Sequence, residues 1–441
     1  KKLRRWPKKS LYRTLFVVPR LCLACVSLAC ISFLSFNAVF KEPLVFSSCS
    51  SVASVASLLN PAPRLHRTFR RHTGDVSRYS SPTADNYLSS LSSAPAAVEV
   101  SPPYEPSWEE LTQVPVTLNA NDWTALGKAK RLAVLCRLSV VHLTVISCAS
   151  GGLLAGAAGK GNALRSTLWT ATLCLWHLSH NVINDLQDLD VGRDESKGAF
   201  RRSYGCHPVA QGFVSKGNAM KVVFALTAAA ALGSAASVAL APACAWAIPA
   251  GLAATLLYTP LAKPCALGEL LVYLVWGPAM VGGGYAATAG VHSPVVTWLA
   301  SVPLGLGAFA MIFGKHIDKI SEPVRTLPKL LGRKLAKATA ATALICQHVA
   351  SLLLVRAGIL PAACLLSLVA LPFETRAAVR ILLTEEPPAE KPSNGVSYRG
   401  SMLPFVPAKA WPLWYVAVAG WQAVVYGYWF TLGLGVAAIR A

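Results

Sequence analysis

Two short acidic segments of this 441-residue chain stand directly after long apolar runs. The first reads Asn181-Val182-Ile183-Asn184-Asp185-Leu186-Gln187-Asp188-Leu189-Asp190-Val191-Gly192-Arg193-Asp194. Continued as a helix, it sets Asn184 and Asp188 four residues apart with Asp185 one position round, so three oxygen-bearing groups share a face. Like charges held that close call for a cation. Hard oxygen donors select Mg²⁺, which binds through one or two carboxylates and completes its shell with phosphate oxygens and water. Taken alone, the segment also fits an acidic helix end with ordinary caps.

The second segment, Gly314-Lys315-His316-Ile317-Asp318-Lys319-Ile320-Ser321-Glu322, shifts that balance. Asp318 and Glu322 are again four residues apart, and the basic neighbours of the two segments are Lys197, Arg201, Arg202, Lys315 and Lys319. Two carboxylate groups flanked by cations fit a site in which two Mg²⁺ ions clamp a diphosphate while Lys and Arg neutralise the remaining phosphate charge.

The elements that must position these groups are apolar. Hydrophobic residues make up 54% of the chain, against roughly 45–50% in soluble domains. Nine runs are candidates to cross a bilayer, at about 132–154, 164–183, 222–240, 243–258, 267–288, 295–313, 335–355, 360–372 and 413–439. The expected fold is an all-α polytopic membrane protein with the lipid bilayer as its solvent. The acidic segments follow the second and sixth runs.

The net charge of +21 does not point to nucleic acid. The basic residues concentrate in the first 80 positions and in short segments between spans, as in a basic leader followed by positive-inside loops. The 12 cysteines mostly sit in apolar runs, such as Cys174 and Cys364, and read as small buried residues.

Residues 1–97 are expected to be a targeting leader. An apolar run near 15–40 follows a basic start, and a Ser- and Arg-rich stretch follows that, with Glu42 and Asp75 the only acids up to Thr83. Such a two-part leader suits a complex plastid or apicoplast membrane, with the mitochondrial inner membrane as the alternative. Residues 98–126, with Pro102, Pro103, Glu105, Glu109 and Glu110, are expected to be a polar linker, and 127–441 the transmembrane domain.

The pattern of Asn184, Asp185, Asp188, Gly192 and Asp194 resembles the first motif of UbiA-superfamily prenyltransferases, in the spacing of the 1,4-dihydroxy-2-naphthoate branch of menaquinone and phylloquinone synthesis. The second segment resembles the DxxxD motif of that superfamily with Glu322 at its last place. Leu267-Gly268-Glu269, Trp276-Gly277-Pro278 and Tyr258-Thr259-Pro260 are similar to further elements of that branch. The chain departs from the family after Glu322, where Pro323-Val324 runs straight into Arg325-Thr326-Leu327-Pro328 about four residues early.

The resemblance implies helices around a central cavity and Mg²⁺-dependent transfer of a prenyl or phytyl group from an isoprenoid diphosphate to an aromatic quinone precursor. Homogentisate, chlorophyllide or haem are alternative acceptors, and a transporter using intramembrane carboxylates is a reading from another class. On this basis Asp185, Asp188 and Asp318 are the expected catalytic carboxylates. Asp185, Asp188, Asp194, Asp318 and Glu322 are the expected metal ligands. Asn184, Arg137, Lys197, Lys315, Tyr258 and Lys263 are expected to bind substrate.

Arg137 is a charge within an apolar run, where burial costs about 2.5–3.5 kcal/mol on insertion scales and favours a polar interior. Asp190 is expected to be solvated. His142, His177 and His180 are expected to be packed polar residues bonded across helices. Trp411, Trp414, Tyr415, Trp421, Tyr426, Tyr428 and Trp429 are expected to form an interfacial aromatic belt.

Overall fold

The computed structural model describes residues 102–113, 115–190, 205–322, 325–390 and 411–441. The expected leader, Gly192, Asp194, Lys197, Arg201 and Arg202 lie outside the described residues, and nothing is said of the side chains of Gln113, Asp190, Thr259 and Pro260. Among the described residues there is no strand, so the all-α expectation holds.

Thirteen helices suffice to describe the architecture. Three short ones come first, α1 (Trp108–Gln113), α2 (Ala120–Ala125) and α3 (Lys128–Leu135). The long apolar ones are α4 (Leu138–Ala157), α6 (Lys216–Leu240), α8 (Gly268–Ala289), α9 (Val296–Asp318), α11 (Arg333–Arg356), α12 (Ala362–Thr384) and α13 (Tyr415–Arg440). These seven are long and apolar enough to cross a membrane. Helix α5 (Ala163–Asp190) has 28 residues and so is about 42 Å long at 1.5 Å per residue, beyond the roughly 30 Å hydrocarbon core. Its surplus turns are the polar ones that carry the first acidic segment. Helix α7 (Ala247–Leu257) is a shorter apolar helix, and α10 (Leu327–Leu331) is a single turn that follows the second acidic segment.

Without a hydrophobic drive between helices in lipid, small residues let backbones approach. A Cβ on Gly151 of α4 would lie 2.1 Å from the Val281 carbonyl oxygen of α8, and one on Gly284 of α8 would lie 2.5 Å from that of Cys148. The two helices therefore cross at backbone contact. Gly314 does the same for α9, since a Cβ there would sit 2.5 Å from the Tyr415 carbonyl oxygen at the start of α13.

Within the expected linker 98–126, the described residues include a packed apolar cluster. Leu111, Val116, Leu118, Trp123 and Leu126 bury against Val134 and Cys206, and Trp123 stacks on Phe213 at 5.6 Å. Asn119 and Asp122 form a capping box that starts α2. The Cys206 N–H donates to the Val116 carbonyl at 2.7 Å, and the Gly205 N–H to Thr117 Oγ1 at 3.0 Å. The alternation of Pro and Glu with single large apolar residues hides a folded cap, because several of the apolar partners of those residues, Cys206, Phe213 and Val214, lie far along the chain.

Candidate functional site

The C-terminal turns of α5 present His177, His180, Asn181, Asn184 and Asp188 at offsets of 3, 4, 7 and 11 residues, which is one helical face. All five line a cavity of about 460 Å³. The opposite wall comes from a π-helical turn, Tyr258–Ala262, from Glu269 at the start of α8, from Met311, Ile312, Lys315 and His316 on α9, and from Lys319 just past its end. The cap supplies Leu111 and Val116, and Trp176, Val272 and Trp276 add apolar surface.

Lys263 follows the π-helical turn and reaches across to α5. Its Nζ lies 3.1 Å from Asn184 Oδ1, 3.0 Å from Asp188 Oδ1 and 3.1 Å from Asp188 Oδ2. Three oxygens of the first acidic segment thus converge on one cationic point. The same ammonium sits 5.1 Å from the Tyr258 ring centroid, within cation–π range.

Asp185 does not line the cavity. One position round the helix from Asn184, it is buried and forms an ion pair with the guanidinium of Arg137. Arg137 does line the cavity, at a break between α3 and α4 where its backbone is left-handed, φ 52° and ψ 57°. That conformation costs a non-glycine residue roughly 1–2 kcal/mol. The pair with Asp185 holds it, together with Asn181, whose Nδ2 donates to the Cys136 carbonyl at 2.9 Å.

The second acidic segment divides. Helix α9 ends at Asp318, with Lys319 already outside helical geometry, so Asp318 and Glu322 do not share a helical face as their spacing suggests. Asp318 turns with Gly314 toward α13, where Oδ1 accepts from the Tyr415 N–H at 2.9 Å and Oδ2 from the Val416 N–H at 3.0 Å. It anchors the first turn of α13 and is not part of the cavity wall, contrary to the expected catalytic and metal-binding placement. Glu322 does enter the wall, and its Oε1 is buried without a hydrogen-bond partner, on a wall that also carries Lys315, Lys319 and Arg325.

Expected residues Asn184, Asp188, Arg137, Lys263, Tyr258, Lys315 and Glu322 therefore meet at one cavity. Glu269, 1% exposed, joins the wall without a site role expected from the sequence; the signal for it is a carboxylate at the start of an apolar helix. Trp421 and Tyr428, expected in an interfacial belt, also line the cavity. His177 bonds across helices through Nδ1 to Thr144 Oγ1 at 2.8 Å. Burial pushes the Cys206 thiol up to about 12, which keeps it a neutral wall residue.

Among the described residues no three His, Cys, Asp or Glu side chains stand close enough to hold a metal alone. The donor chemistry nevertheless fits a hard cation. Asn184 and Asp188 already enclose a positive charge, and an orphaned carboxylate oxygen at Glu322 has no other partner. A cation sharing its shell with a diphosphate needs only one or two protein carboxylates.

No match is found among curated proteins. Solved structures with similarity include the apo structure of a UbiA homologue from Aeropyrum pernix K1, at 21% identity and a TM-score of 0.47, covering 66% of this chain and 97% of that one. A digeranylgeranylglyceryl phosphate synthase structure matches at 16% identity and a TM-score of 0.44, covering 72% and 100%. The UbiA prenyltransferase family model matches residues 144–392. That match takes in more than half of the chain and both acidic segments, and this protein belongs to the UbiA prenyltransferase family, as a membrane prenyltransferase.

Proposed function

We propose that the cavity transfers a prenyl or phytyl group from its diphosphate to 1,4-dihydroxy-2-naphthoate, with Mg²⁺ as the cation. The observation that carries this reading is the convergence of Asn184 and Asp188 on one cationic point beside a wall of Trp176, Trp276 and Tyr258. An anionic head and an apolar tail each find a matching surface there.

Asn184 and Asp188 are the residues that would hold the metal on α5, joined by Asp194, with Glu322 offering a second carboxylate from across the cavity. A Mg²⁺ ion held there would supply Lewis-acid stabilisation of the departing diphosphate, which eases rupture of the allylic C–O bond. Arg137, Lys263, Lys315 and, by its place in the sequence motif, Lys197 neutralise phosphate oxygens, with Lys319 and Arg325 adding charge to the same wall as Lys315. Asp185 acts one step back, by keeping Arg137 aimed. The indole and phenol rings exclude water from the allylic carbon, so that the electron-rich acceptor ring is the nucleophile that reaches it. The composition of residues 1–97 supports a plastid membrane as the place of action.

The full-length protein in membranes, given geranylgeranyl or phytyl diphosphate, Mg²⁺ and a panel of dihydroxynaphthoate, homogentisate, chlorophyllide and haem, tests this directly. Mass spectrometry should find the prenylated naphthoquinol, and chelation of the metal should abolish it. Asp188→Asn should lower the rate on the order of 100-fold, the size of losing one preorganised electrostatic group. Product with a different panel member alone would move the acceptor assignment, and absence of product with all four would overturn the reaction.

A further inference from the structure

Glu269 and His316 form a buried pair that the mechanism above leaves idle. Glu269 Oε1 accepts from His316 Nδ1 at 2.6 Å and from the Leu327 N–H at 3.1 Å. The side chains of the two residues are 1% and 12% exposed. A carboxylate bound at Nδ1 fixes the imidazole tautomer with hydrogen on that nitrogen, so Nε2 is left as an acceptor. Both residues line the cavity, and Nε2 is neither hydrogen-bonded nor sealed from it.

The pair also stands next to the diphosphate cradle. The Tyr258 ring, with Lys263 Nζ 5.1 Å away, packs so close to the start of α8 that a Cβ on Gly268 would lie 3.3 Å from it. Contacts thus run from Asp188 through Lys263 and Tyr258 to Gly268, one residue before Glu269. A molecule held with its reactive carbon near the diphosphate would bring a ring substituent within reach of His316. Nearby charges come from Lys315, Lys319, Glu322 and Arg325, and cations outnumber anions among these four, so the wall already supplies donors. His316 Nε2 adds a neutral acceptor beside them.

We propose that His316 Nε2 accepts a hydrogen bond from a hydroxyl of the aromatic acceptor and so selects hydroxylated rings and sets their orientation, with Glu269 as the positioning residue that fixes the tautomer. This rests on the prenyl-transfer reading for the identity of the ligand but not for its own test, which is binding rather than turnover. A site built to bond a hydroxyl rejects analogues lacking it, because its own polar group is then left unpaired.

The test compares binding of 1,4-dihydroxy-2-naphthoate and its two mono-O-methyl ethers to the full-length protein in nanodiscs, with geranylgeranyl thiodiphosphate and Mg²⁺ present. The wild type should bind the free diol at least ten-fold tighter than one of the ethers. His316→Phe should bind all three alike, while its affinity for the thiodiphosphate stays within two-fold of wild type, which also reports its folding. Glu269→Gln, whose amide oxygen still accepts from both N–H groups, should keep the discrimination and thereby separate tautomer control from a need for negative charge. Equal wild-type affinity for diol and ethers, binding of none of them, or discrimination that survives His316→Phe would each overturn the proposal. Failure of prenyl transfer with normal diol discrimination would sink the reaction instead.

Discussion

The ammonium of Lys263 lies 3.0 Å from Asp188 Oδ1 and 3.1 Å from Asn184 Oδ1, on the two side chains best suited to hold a metal on α5. An ammonium and a divalent cation cannot both occupy that cradle. A metal bound there, as the proposed mechanism has it, would release Lys263 toward the phosphate oxygens of the donor.

Lys263→Met should therefore separate two effects. Removing the competing cation should lower the Mg²⁺ concentration needed for half-activation, by about two- to ten-fold, because Asp188 then lacks its partner. The same change should raise KM for the prenyl diphosphate by about ten-fold, the scale of losing one charge-assisted contact of roughly 1.5–3 kcal/mol. Steady-state kinetics with metal and donor varied independently would check both, and a rise in the metal requirement would contradict the displacement argument.

Arg137 and Asp185 form a mostly buried ion pair, so breaking it from either side should cost about 3–5 kcal/mol through the charge left behind. Arg137→Met and Asp185→Leu should each lower thermal stability sharply, and the double variant should recover most of the loss. Activity should stay low in all three, because the cavity-facing guanidinium is either absent or no longer held by Asp185. Thermal unfolding of the purified proteins in one detergent would give the coupling; additive losses would mean that the pair contributes little.

Asp318 donates no group to the cavity, yet it accepts two backbone N–H groups at the start of α13. Charge-assisted bonds at a helix N-terminus place the cost of Asp318→Ala at about 1–3 kcal/mol. Melting should fall while the Mg²⁺ half-activation constant moves less than two-fold. A large shift in the metal constant with unchanged melting would return Asp318 to the ligand set.

Glu386 joins α11 to α13. Its Oε1 accepts from Lys337 Nζ at 2.8 Å and its Oε2 from Arg333 Nη2 at 2.6 Å and from the Tyr415 hydroxyl at 3.1 Å. The bond from Lys337 foremost, then that from Arg333, holds its carboxyl down to about 2, from an ordinary 4.5. A carboxylate with a depressed value stabilises the fold fully above its unfolded value and loses that contribution as pH falls through the folded one. Glu386→Gln should thus melt below the wild type at pH 7, with the gap narrowing below pH 4.5 and closing near pH 2. A gap independent of pH would rule out the charge as its source.

Much of the helical plan was written in local pattern. Apolar runs long enough for a bilayer set where the spans lie, and the offsets of Asn184 and Asp188 on a continuing helix put them on one face, because a helix repeats every 3.6 residues whatever surrounds it. The second acidic segment shows the limit of that reasoning. The spacing of Asp318 and Glu322 implies a shared face only while the helix continues, and α9 stops at Asp318, so the two carboxylates part toward α13 and the cavity. No local pattern records where the chain leaves helical geometry under the pull of distant partners such as Tyr415. Likewise, nothing near residues 98–126 announces that Cys206 and Phe213 will cover their apolar side chains. Which charge meets which, Lys263 with Asp188, Arg137 with Asp185 and His316 with Glu269, was decided by tertiary structure alone, since those pairings join residues 47 to 75 positions apart that only helix packing brings within hydrogen-bond range.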